Sequence, residues 1–389
     1  MRQSRQAELL DRLVGVDTRR PWLRAPASRR NPASAYTDAA RFEQETARLF
    51  RGRPQFVGLD ADCPEPGDYL AVDLGGVPIV LVRQDDGALR AFVNACRHRG
   101  ATVMTGRGRL TAGAGALARG QLVCPYHGWT YDSAGTLCAR PGAWDGFDDV
   151  TGSLHLHPRA VAERHGLIFV HPDSAAPFSV DAVLAGAEQE LADYGFERYV
   201  RVDTRTREWR MNWKLALDTF TEAYHIRFLH RNTIAPHFLC DMIFDAFGPH
   251  PRAIGLRRDV TDQLTRLPRG EWQLLPYATA QYFLVPNGLL VFQRDHVEAW
   301  RIEPLAVDAV RLTTTLYAPA APAEARSAAY WQKNLDLLLD VTGAEDFPLM
   351  EQIQRNLASG ALPEVVYGRL EPALVHLHQS IDALLDEPR

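Results

Sequence analysis

Two short motifs in this sequence pair a cysteine with a histidine. The first is Cys96-Arg97-His98 and the second is Cys124-Pro125-Tyr126-His127. Each motif places a thiolate and an imidazole in one tight loop, so two such loops facing each other can hold one metal ion or two. A Cys₂His₂ zinc site is one interpretation. Zinc fingers usually pair cysteine with cysteine and histidine with histidine, however, whereas each loop here mixes the two ligand types.

Mixed loops suit a Rieske [2Fe–2S] cluster, in which two cysteines hold one iron and two histidines hold the other. The segments NACRHRGA and LVCPYHGWTYD resemble the two ligand loops of the Rieske domain family. The resemblance implies that Cys96, His98, Cys124 and His127 bind the cluster. It also implies a low-potential cluster near roughly −150 mV, because the extra cysteines of respiratory Rieske proteins are replaced here. The Ala/Gly-rich residues 111–120 lengthen the stretch between the loops.

His225 and His230 are a second pair of candidate ligands. Two histidines and one carboxylate form the facial triad of non-haem Fe(II) oxygenases, which leaves cis positions open for O₂ and substrate. The two histidines are five residues apart, or about 140° around an ideal helix. Because a regular helix cannot direct both at one metal, we expect a π-bulge, another distortion or a helix end here. Taken alone, the pair is also compatible with ordinary core or surface histidines.

The run Asn212-Trp213-Lys214, then Glu222-Ala223-Tyr224-His225, then His230 resembles the iron-binding signature of the Rieske non-haem iron ring-hydroxylating oxygenases, in their catalytic α-subunit. The resemblance implies a mononuclear Fe(II) whose third ligand lies near the C-terminus. In the segment AEDFPLMEQIQRNLASG the match selects Asp346 as that ligand. Glu345 and Glu351 are competitors, and a solvated helix cap is the alternative for all three.

The same resemblance implies that electrons pass from the cluster of one subunit to the iron of a neighbour in a homotrimer. A carboxylate bridges the two histidine ligands across that interface, and the matching residue is Glu222, with Asp218 as the fallback. Such a carboxylate fixes the tautomer and orientation of each histidine. Glutamate at this position resembles the branch that oxidises quaternary ammonium compounds. Asn212 and Tyr224 are candidate catalytic residues that would line the pocket or support the ligands, with core packing as the alternative.

Two further groups of side chains could serve substrate and partner binding. An aromatic set could cage a quaternary ammonium or stack on an aromatic ring: Phe220, Phe228, Tyr282, Phe283 and Phe292. Core packing is equally compatible with it. An arginine set near the first ligand loop could dock an acidic ferredoxin or reductase, or could be a solvated surface: Arg97, Arg99, Arg107 and Arg109.

The elements around these residues predict two kinds of structure. Short alternating runs with Gly-Gly and Asp-Asp-Gly turns indicate a small β domain over 47–172. Beyond it, we predict one helix over 180–195, a strand passing into a long helix over 207–230, strands over 281–302 and 309–319, and helices over 327–343 and 347–359. Strands flanked by helices predict an α+β domain.

The family resemblance refines this to an all-β Rieske domain at 47–172 and a C-terminal α+β helix-grip domain (START/Bet v1-like) with an antiparallel sheet at 173–389. Residues 1–46 are expected to form a helical segment packing on the catalytic domain. At 389 residues, two domains agree with the size at which one core usually stops growing.

Composition excludes several classes of protein. A hydrophobic fraction of 46% with 23% charged residues is typical of a globular protein, and the net charge of −5 argues against a nucleic-acid binder. Neither a membrane span nor a signal peptide is recognisable, so we expect a cytoplasmic protein that is not bound to a membrane. Five scattered cysteines do not form a disulfide framework.

We therefore predict the terminal oxygenase component of a multicomponent Rieske oxygenase, a mono- or dioxygenase. It would use O₂ to hydroxylate, dihydroxylate or oxidatively demethylate a small aromatic or quaternary-ammonium-like substrate. No flavin or nicotinamide motif is evident, so electrons must come from a separate ferredoxin or flavin reductase, and a β-subunit could complete the assembly. The alternatives are a Rieske electron-transfer protein with a non-catalytic ligand-binding domain and a zinc-stabilised ligand-binding protein.

Overall fold

A computed structural model describes residues 1–14, 25–110, 120–319 and 325–387. The chain divides into two compact units, one made of Met1–Leu49 with Asp181–Arg389 and the other of Phe50–Val180. Most of the Ala/Gly-rich segment between the cysteine loops lies outside the described residues. No described helix combines the length and the apolar character needed to cross a membrane.

The N-terminal residues belong to the unit that also contains the C-terminal half of the chain. Their elements are α1 (Gln3–Val14), β1 (Arg29–Pro32), α2 (Ser34–Thr37) and α3 (Ala39–Glu45). The α3 helix begins after Asp38, whose carboxylate accepts the backbone N–H of Arg41 and so caps the first turn. A π-helical turn, Thr46–Arg51, follows α3.

The unit Phe50–Val180 is built from short antiparallel strands. These are β2 (Gln55–Leu59), β3 (Asp68–Leu74), β4 (Val77–Arg83), β5 (Leu89–Val93), β6 (Arg107–Arg109), β7 (Gln121–Val123), β8 (Thr130–Asp132), β9 (Leu137–Ala139), β10 (Pro158–Arg159), β11 (Val161–Arg164) and β12 (Leu167–Val170). They form sheets in the orders β10-β5-β4-β3-β6, β11-β12-β2 and β7-β8-β9. The predicted all-β domain is confirmed.

A seven-stranded antiparallel sheet dominates the other unit. Its strands are β13 (Val200–Trp209), β14 (Phe238–Phe247), β15 (His250–Arg257), β16 (Ala278–Leu284), β17 (Gly288–Phe292), β18 (Val297–Ala306) and β19 (Ala309–Ala318), in the order β13-β19-β18-β17-β16-β15-β14. β1 pairs with a late strand, β20 (Glu364–Tyr367). The hairpin β14–β15, which turns at Gly248, was not identified from the sequence.

Beyond α1–α3, the helices that follow in the chain are α4 (Val180–Leu184), α5 (Glu188–Ala192), α6 (Trp213–Asp218), α7 (Ile226–Leu229), α8 (Val260–Arg266), α9 (Ala325–Val341), α10 (Phe347–Ala358) and α11 (Pro372–Asp386). A π-helical turn, Thr342–Asp346, joins α9 to α10. The α11 helix, missed in the sequence, packs on β14 and β15. A long helix against an antiparallel sheet is the predicted helix-grip arrangement, and the α+β class is confirmed.

Two helices that were predicted to be continuous are each interrupted in the structure. The single helix over 180–195 is broken between α4 and α5, where Ala185 and Gly186 both have positive φ angles. The long helix expected before His230 is replaced by α6 and α7. Hydroxyl side chains compete for the helix carbonyls here, because Thr221 Oγ1 donates to the Asp218 carbonyl over 2.6 Å.

Candidate metal centres and cavity

The two cysteine loops have the same backbone hydrogen-bond pattern. In the first loop, the Gly100 N–H donates to the Cys96 carbonyl and the Cys96 N–H donates to the Ala101 carbonyl, both over 2.8 Å. In the second loop, the Gly128 N–H donates to the Cys124 carbonyl over 3.0 Å and the Cys124 N–H donates to the Trp129 carbonyl over 2.8 Å. Both glycines have positive φ, 78° and 70°, a backbone conformation that favours glycine. Two equivalent tight loops therefore present one cysteine and one histidine each.

The four side chains separate into a buried pair and an outer pair. Cys96 and Cys124 are only 3% and 2% exposed, within an apolar cluster. His98 Nδ1 and His127 Nδ1 lie 3.1 Å apart nearer the surface, and His127 is exposed. This nitrogen separation suits two imidazoles on one metal with bonds of about 2.0–2.1 Å.

A mononuclear zinc site would require three or more of these ligand atoms to converge. Within the described residues, the one group that brings at least three such atoms within 4.8 Å of one another is elsewhere, at His225, His230 and Asp346. The cysteine loops instead offer thiols at one end and imidazoles at the other. That donor set fits a [2Fe–2S] cluster, with sulfur ligands on the inner iron and nitrogen ligands on the outer iron.

Tyr131 and Trp129 contact residues of the first cysteine loop. The Tyr131 hydroxyl lies 3.3 Å from Cys96 Sγ and accepts the backbone N–H of Arg97 over 3.0 Å. Burial, and then the hydrogen bond with Cys96, raises the pKa of the Tyr131 hydroxyl above its ordinary value. The hydroxyl therefore stays protonated and can donate a hydrogen bond to the Cys96 sulfur. The Trp129 indole stacks on the His98 ring with an interplanar angle of 9°.

The break between α6 and α7 positions the second pair of histidines. His225 is the N-cap residue of α7 and His230 is its C-cap residue. The helix therefore ends on both sides of the five-residue spacing, which is one of the distortions expected from the sequence. The two rings lie 5.1 Å apart between centroids, an approach that a continuous straight helix would not allow.

Asp346 meets both histidines from the π-helical turn before α10. Its Oδ1 lies 3.6 Å from His225 Nε2 and 3.2 Å from His230 Nε2. Neighbouring ligands of one metal, at bond lengths of about 2.0–2.2 Å, are separated by roughly 3 to 3.5 Å. The three side chains can therefore share one ion, and two nitrogens with one carboxylate oxygen on one side of the metal are the donor set of a facial triad.

The second nitrogen of each histidine contacts a glutamate. Glu222 accepts from His225 Nδ1 and also from the His225 backbone N–H. Glu345 accepts from His230 Nδ1 and from the Thr233 hydroxyl. Burial lowers the pKa of His230, but the hydrogen bonds and charges of Asp346 and Glu345 outweigh it and raise the pKa above its ordinary value. The surroundings thus favour positive charge between the ligands, as a metal cation would supply.

The other candidates from the sequence lie elsewhere. Glu351 accepts the backbone N–H of Arg210, away from the histidines. Asp218 is buried, where it accepts from the Tyr36 hydroxyl over 2.6 Å and contacts His378 Nε2 at 2.9 Å. Both its oxygens are engaged in this internal network, so the structure does not favour it as a bridging group.

Neither Asn212 nor Tyr224 lines the cavity described below, contrary to the expectation of pocket residues. Asn212 caps α6 by accepting the Lys214 N–H, while its amide donates to the carbonyls of Tyr36 and Val307. Its role is structural because every polar atom of the side chain is engaged. Tyr224 is exposed and packs edge-to-face on another exposed ring, Phe228.

A cavity of about 340 Å³ adjoins the three candidate ligands, which all form part of its wall. This volume lies at the lower end of the range for small-molecule sites. The far wall comes from one face of the large sheet and includes Arg257, Thr279 and Gln281. A small organic molecule in the cavity would therefore lie between the ligands and a partly polar sheet surface.

The expected aromatic cage is wrong for four of its five members. Phe220 lines the cavity, but Phe228 is 64% exposed and Phe283 is buried in the core. Tyr282 and Phe292 are on the opposite face of the sheet from Gln281 and Val291, because successive strand residues alternate between faces. There they pack around Tyr194, which stacks on Phe292 with centroids 3.7 Å apart.

A charged cluster in the cavity wall was not predicted from the sequence. His296 is buried, with Nδ1 2.9 Å from Asp295 and Nε2 3.0 Å from Glu298. Burial opposes protonation, but the hydrogen bonds to Asp295 and Glu298 raise the pKa of His296 to about 9. The segment QRDHVE, a polar run between two strand-like runs, was the available signal.

All four expected docking arginines have hydrogen-bond partners within their own unit. Arg97 donates to the His155 carbonyl, Arg107 to the Asp62 carbonyl and Arg109 to the Asp68 carboxylate. Arg99 is exposed and donates to the Tyr126 hydroxyl beside His127. Arg99 is therefore the member of the set nearest to the exposed imidazole end of the loops.

Comparison with known proteins adds two family matches. Residues 53–145 match the Rieske [2Fe–2S] domain, and residues 196–387 match the ring hydroxylating alpha subunit (catalytic domain). The glycine betaine monooxygenase oxygenase subunit of Chromohalobacter salexigens is 29% identical over 380 residues, covering 87% of this chain and 81% of the relative. The putrescine 2-hydroxylase of Ralstonia nicotianae is 26% identical, covering 76% and 78%.

Among solved structures, the quaternary ammonium Rieske monooxygenase CntA in complex with its substrate L-carnitine has a similar fold. The TM-score is 0.76 at 20% sequence identity, and the match covers 92% of this chain and 96% of that one. At this identity the likeness concerns the fold alone.

Proposed function

The chain belongs to the ring-hydroxylating oxygenase α-subunits that carry a Rieske [2Fe–2S] domain, and from this we propose that it is a terminal oxygenase subunit with the residue roles given below. The observation that carries the proposal is the convergence of His225, His230 and Asp346 on one point beside the cavity. An electron-carrying domain has no need of such a group.

We assign the cluster to residues 47–172 and the mononuclear iron to residues 173–389, with residues 1–46 packing on the iron domain. Cys96 and Cys124 would hold the inner iron, and His98 and His127 the outer iron. The shared hydrogen-bond pattern of the two loops and the 3.1 Å approach of the imidazoles support this assignment. The exposed position of His127 suits a group through which an electron leaves the domain.

His225, His230 and Asp346 would hold the mononuclear iron. When bound, the iron supplies the activation of O₂ at positions left open by the three protein ligands. The chain's own contribution is orientation: Glu222 and Glu345 hold the Nδ1 atoms, which leaves each Nε2 free for the metal. Phe220, Ala223 and Ile226 form apolar cavity wall near the ligands and would keep water away from the reacting atoms.

Glu222 is proposed to carry the link between subunits. Its carboxylate already orients His225, and a partly exposed carboxylate with a second lone pair could accept an imidazole N–H from His127 of another subunit. This role requires a homotrimer or another closed ring, in which each cluster serves a neighbouring iron. Electrons would enter from a separate ferredoxin or flavin reductase, which Arg99 at the exposed end of the cysteine loops could contact.

The substrate is proposed to be a small organic ammonium compound that undergoes monooxygenation. Glycine betaine and L-carnitine, named for two of the compared proteins, both contain a quaternary ammonium group, and putrescine is a diamine. A cavity of about 340 Å³ accommodates molecules of this size. An aromatic substrate is the alternative; Phe220 and Phe238 in the wall could stack on it.

Iron content and oxygen uptake test the proposal together. The purified protein should hold about three irons per chain and show the low-g electron resonance signal of a Rieske cluster. A surrogate reductase should then support substrate-dependent O₂ uptake. A stable content of two irons, with no uptake for any ammonium or aromatic compound, would support the alternative of an electron-transfer protein with a non-catalytic domain.

A further inference from the structure

One cation in the cavity wall, Arg257, has no counter-charge among the residues that the structure describes. Within the described part of the chain, Arg257 forms no ion pair, and its buried Nε has no hydrogen-bond acceptor. Its guanidinium lies over the Phe238 ring, 5.3 Å from the ring centroid. The ring attracts the cation, but it provides no oxygen or nitrogen acceptor for the guanidinium N–H groups. A buried donor without an acceptor costs free energy until something supplies one.

The other charged groups of the same wall are already paired. Glu298 and Asp295 both contact His296, and Asp295 also accepts the Tyr330 hydroxyl. Arg294 donates to the Asp259 carboxylate and to the Pro276 carbonyl. Glu222 and Asp346 belong to the metal centre described above. Arg257 is thus distinguished from every other ionised side chain that lines the cavity among the described residues.

The strand register explains why Arg257 reaches the cavity. It is the last residue of β15, and it shares a face with Gly255, which pairs with Thr279 of β16. Both Gly255 and Thr279 also line the cavity. On the same face, the buried Oε1 of Gln281 accepts no hydrogen bond from any described residue, so it is a second polar group of this wall without a partner there.

We propose that Arg257 binds a carboxylate of the substrate, so that the proposed oxygenase acts on a substrate with an anionic end. The planar guanidinium can donate two parallel N–H bonds to a carboxylate, whereas the paired carboxylates of the wall need no second cation. The anionic end would lie against the sheet and the remainder of the molecule would extend into the cavity toward the ligands. This inference rests on the proposed function for its location and deepens it by naming the substrate class.

Direct binding to the metal-loaded protein, without reductase, tests this inference. Two matched pairs of probes separate the carboxylate from the rest of the molecule: glycine betaine with choline, which share a trimethylammonium group, and benzoate with benzyl alcohol. By titration calorimetry, the carboxylate of at least one pair should bind about 10- to 100-fold more tightly than its hydroxyl counterpart.

Variants then assign the preference to one side chain. Arg257→Gln should remove the preference for the carboxylate. Arg257→Lys should keep part of that preference, because lysine retains the positive charge but cannot donate two parallel N–H bonds. Arg294→Gln is the matched control, since that arginine lines the same cavity but is already paired, and the preference should persist. Circular dichroism and cluster absorbance verify that each variant is folded.

The proposal is overturned if neither carboxylate binds more tightly than its counterpart to the unmodified protein, a comparison that needs no variant. It is also overturned if the preference survives in Arg257→Gln or disappears equally in Arg294→Gln. A preparation that never acquires mononuclear iron, or never consumes O₂, would contradict the oxygenase function instead. The calorimetric titration needs neither turnover nor reductase, so it can be repeated on that preparation, and the two failures are distinguishable.

Discussion

Glu345 and Asp346 are adjacent in the sequence, yet they face opposite nitrogens of one imidazole. Glu345 accepts from His230 Nδ1, and Asp346 Oδ1 lies 3.2 Å from His230 Nε2. The π-helical turn Thr342–Asp346 allows this because its wider turn redirects successive side chains. One residue of the pair can thus be a metal ligand while its neighbour orients the ring that shares the metal.

The two carboxylates should therefore differ in what their loss removes. Asp346→Ala should lower the iron content from about three to about two per chain with the cluster signal unchanged. Glu345→Gln should retain the iron but weaken its binding by roughly 10- to 100-fold, because the histidine loses its orienting partner. Iron analysis after graded chelation measures both. Glu351→Gln, whose carboxylate contacts only the Arg210 backbone among the described residues, should behave as the unmodified protein.

Glu222→Gln should leave both metal centres occupied and abolish coupled turnover. The amide can still contact His225, but it no longer provides the charged acceptor that would hold the second imidazole across the interface. The measurement is a single turnover of pre-reduced protein, in which the cluster should stay reduced after O₂ is added. Product formed at the normal rate would exclude Glu222 as the link between the centres.

Tyr131→Phe should lower the reduction potential of the cluster. A hydrogen bond to a cluster sulfur stabilises the reduced, more negative state, and Tyr131 lies 3.3 Å from Cys96 Sγ. A bond worth about 1 kcal/mol corresponds to roughly 40 mV for one electron. Redox titration followed by absorbance measures the change. Tyr126→Phe is the control, because the Tyr126 hydroxyl accepts from Arg99 instead of contacting a cluster ligand. The reduction potential of the cluster in this variant should match that of the unmodified protein.

His296 should stabilise the fold most at neutral and acidic pH. Its pKa is raised in the folded protein to about 9, from an ordinary value near 6.5, so the folded state binds the proton more tightly than the unfolded state does. The resulting stabilisation is fully present below about pH 6.5 and is lost as the pH rises through about 9. The difference in melting temperature between the unmodified protein and His296→Gln should therefore shrink from pH 6 to pH 10. A constant difference would contradict the charged assignment.

Glu45→Gln should destabilise the protein strongly. Lys214 is fully buried, with Nζ 2.7 and 2.6 Å from the two oxygens of Glu45. Burial lowers the pKa of Lys214 to about 8 even with that partner present, so removing the counter-charge leaves the ammonium uncompensated. Breaking such a pair costs about 3–5 kcal/mol. Denaturant unfolding measures the loss, and Glu43→Gln, on the same helix but exposed, should change it by less than about 0.5 kcal/mol.

Local sequence signals gave the cysteine loops and many of the strands, and they failed where distant residues decide the outcome. Cys96, His98, Cys124 and His127 could be grouped because each loop needs only a few residues and a glycine to close. The continuous helix before His230 could not be corrected from local pattern, because its break depends on side-chain hydrogen bonds such as that of Thr221. The aromatic cage failed for a related reason: which face of a strand meets the cavity depends on the whole sheet.

The sequence by itself determined the ligand chemistry, since residue type and short spacing limit which metals a loop can bind. It also determined that a β domain is followed by an α+β domain, because the period of the hydrophobic pattern distinguishes strands from helices. The family resemblance favoured Asp346 over Glu345 and Glu351, but only the tertiary structure shows which of these carboxylates lie beside His230. A carboxylate more than a hundred residues away in the sequence becomes a neighbour only after the chain folds. The tertiary structure likewise decided that Arg257 faces the cavity with no ion-pair partner among the described residues, because pairing of buried charges depends on every element packed around them.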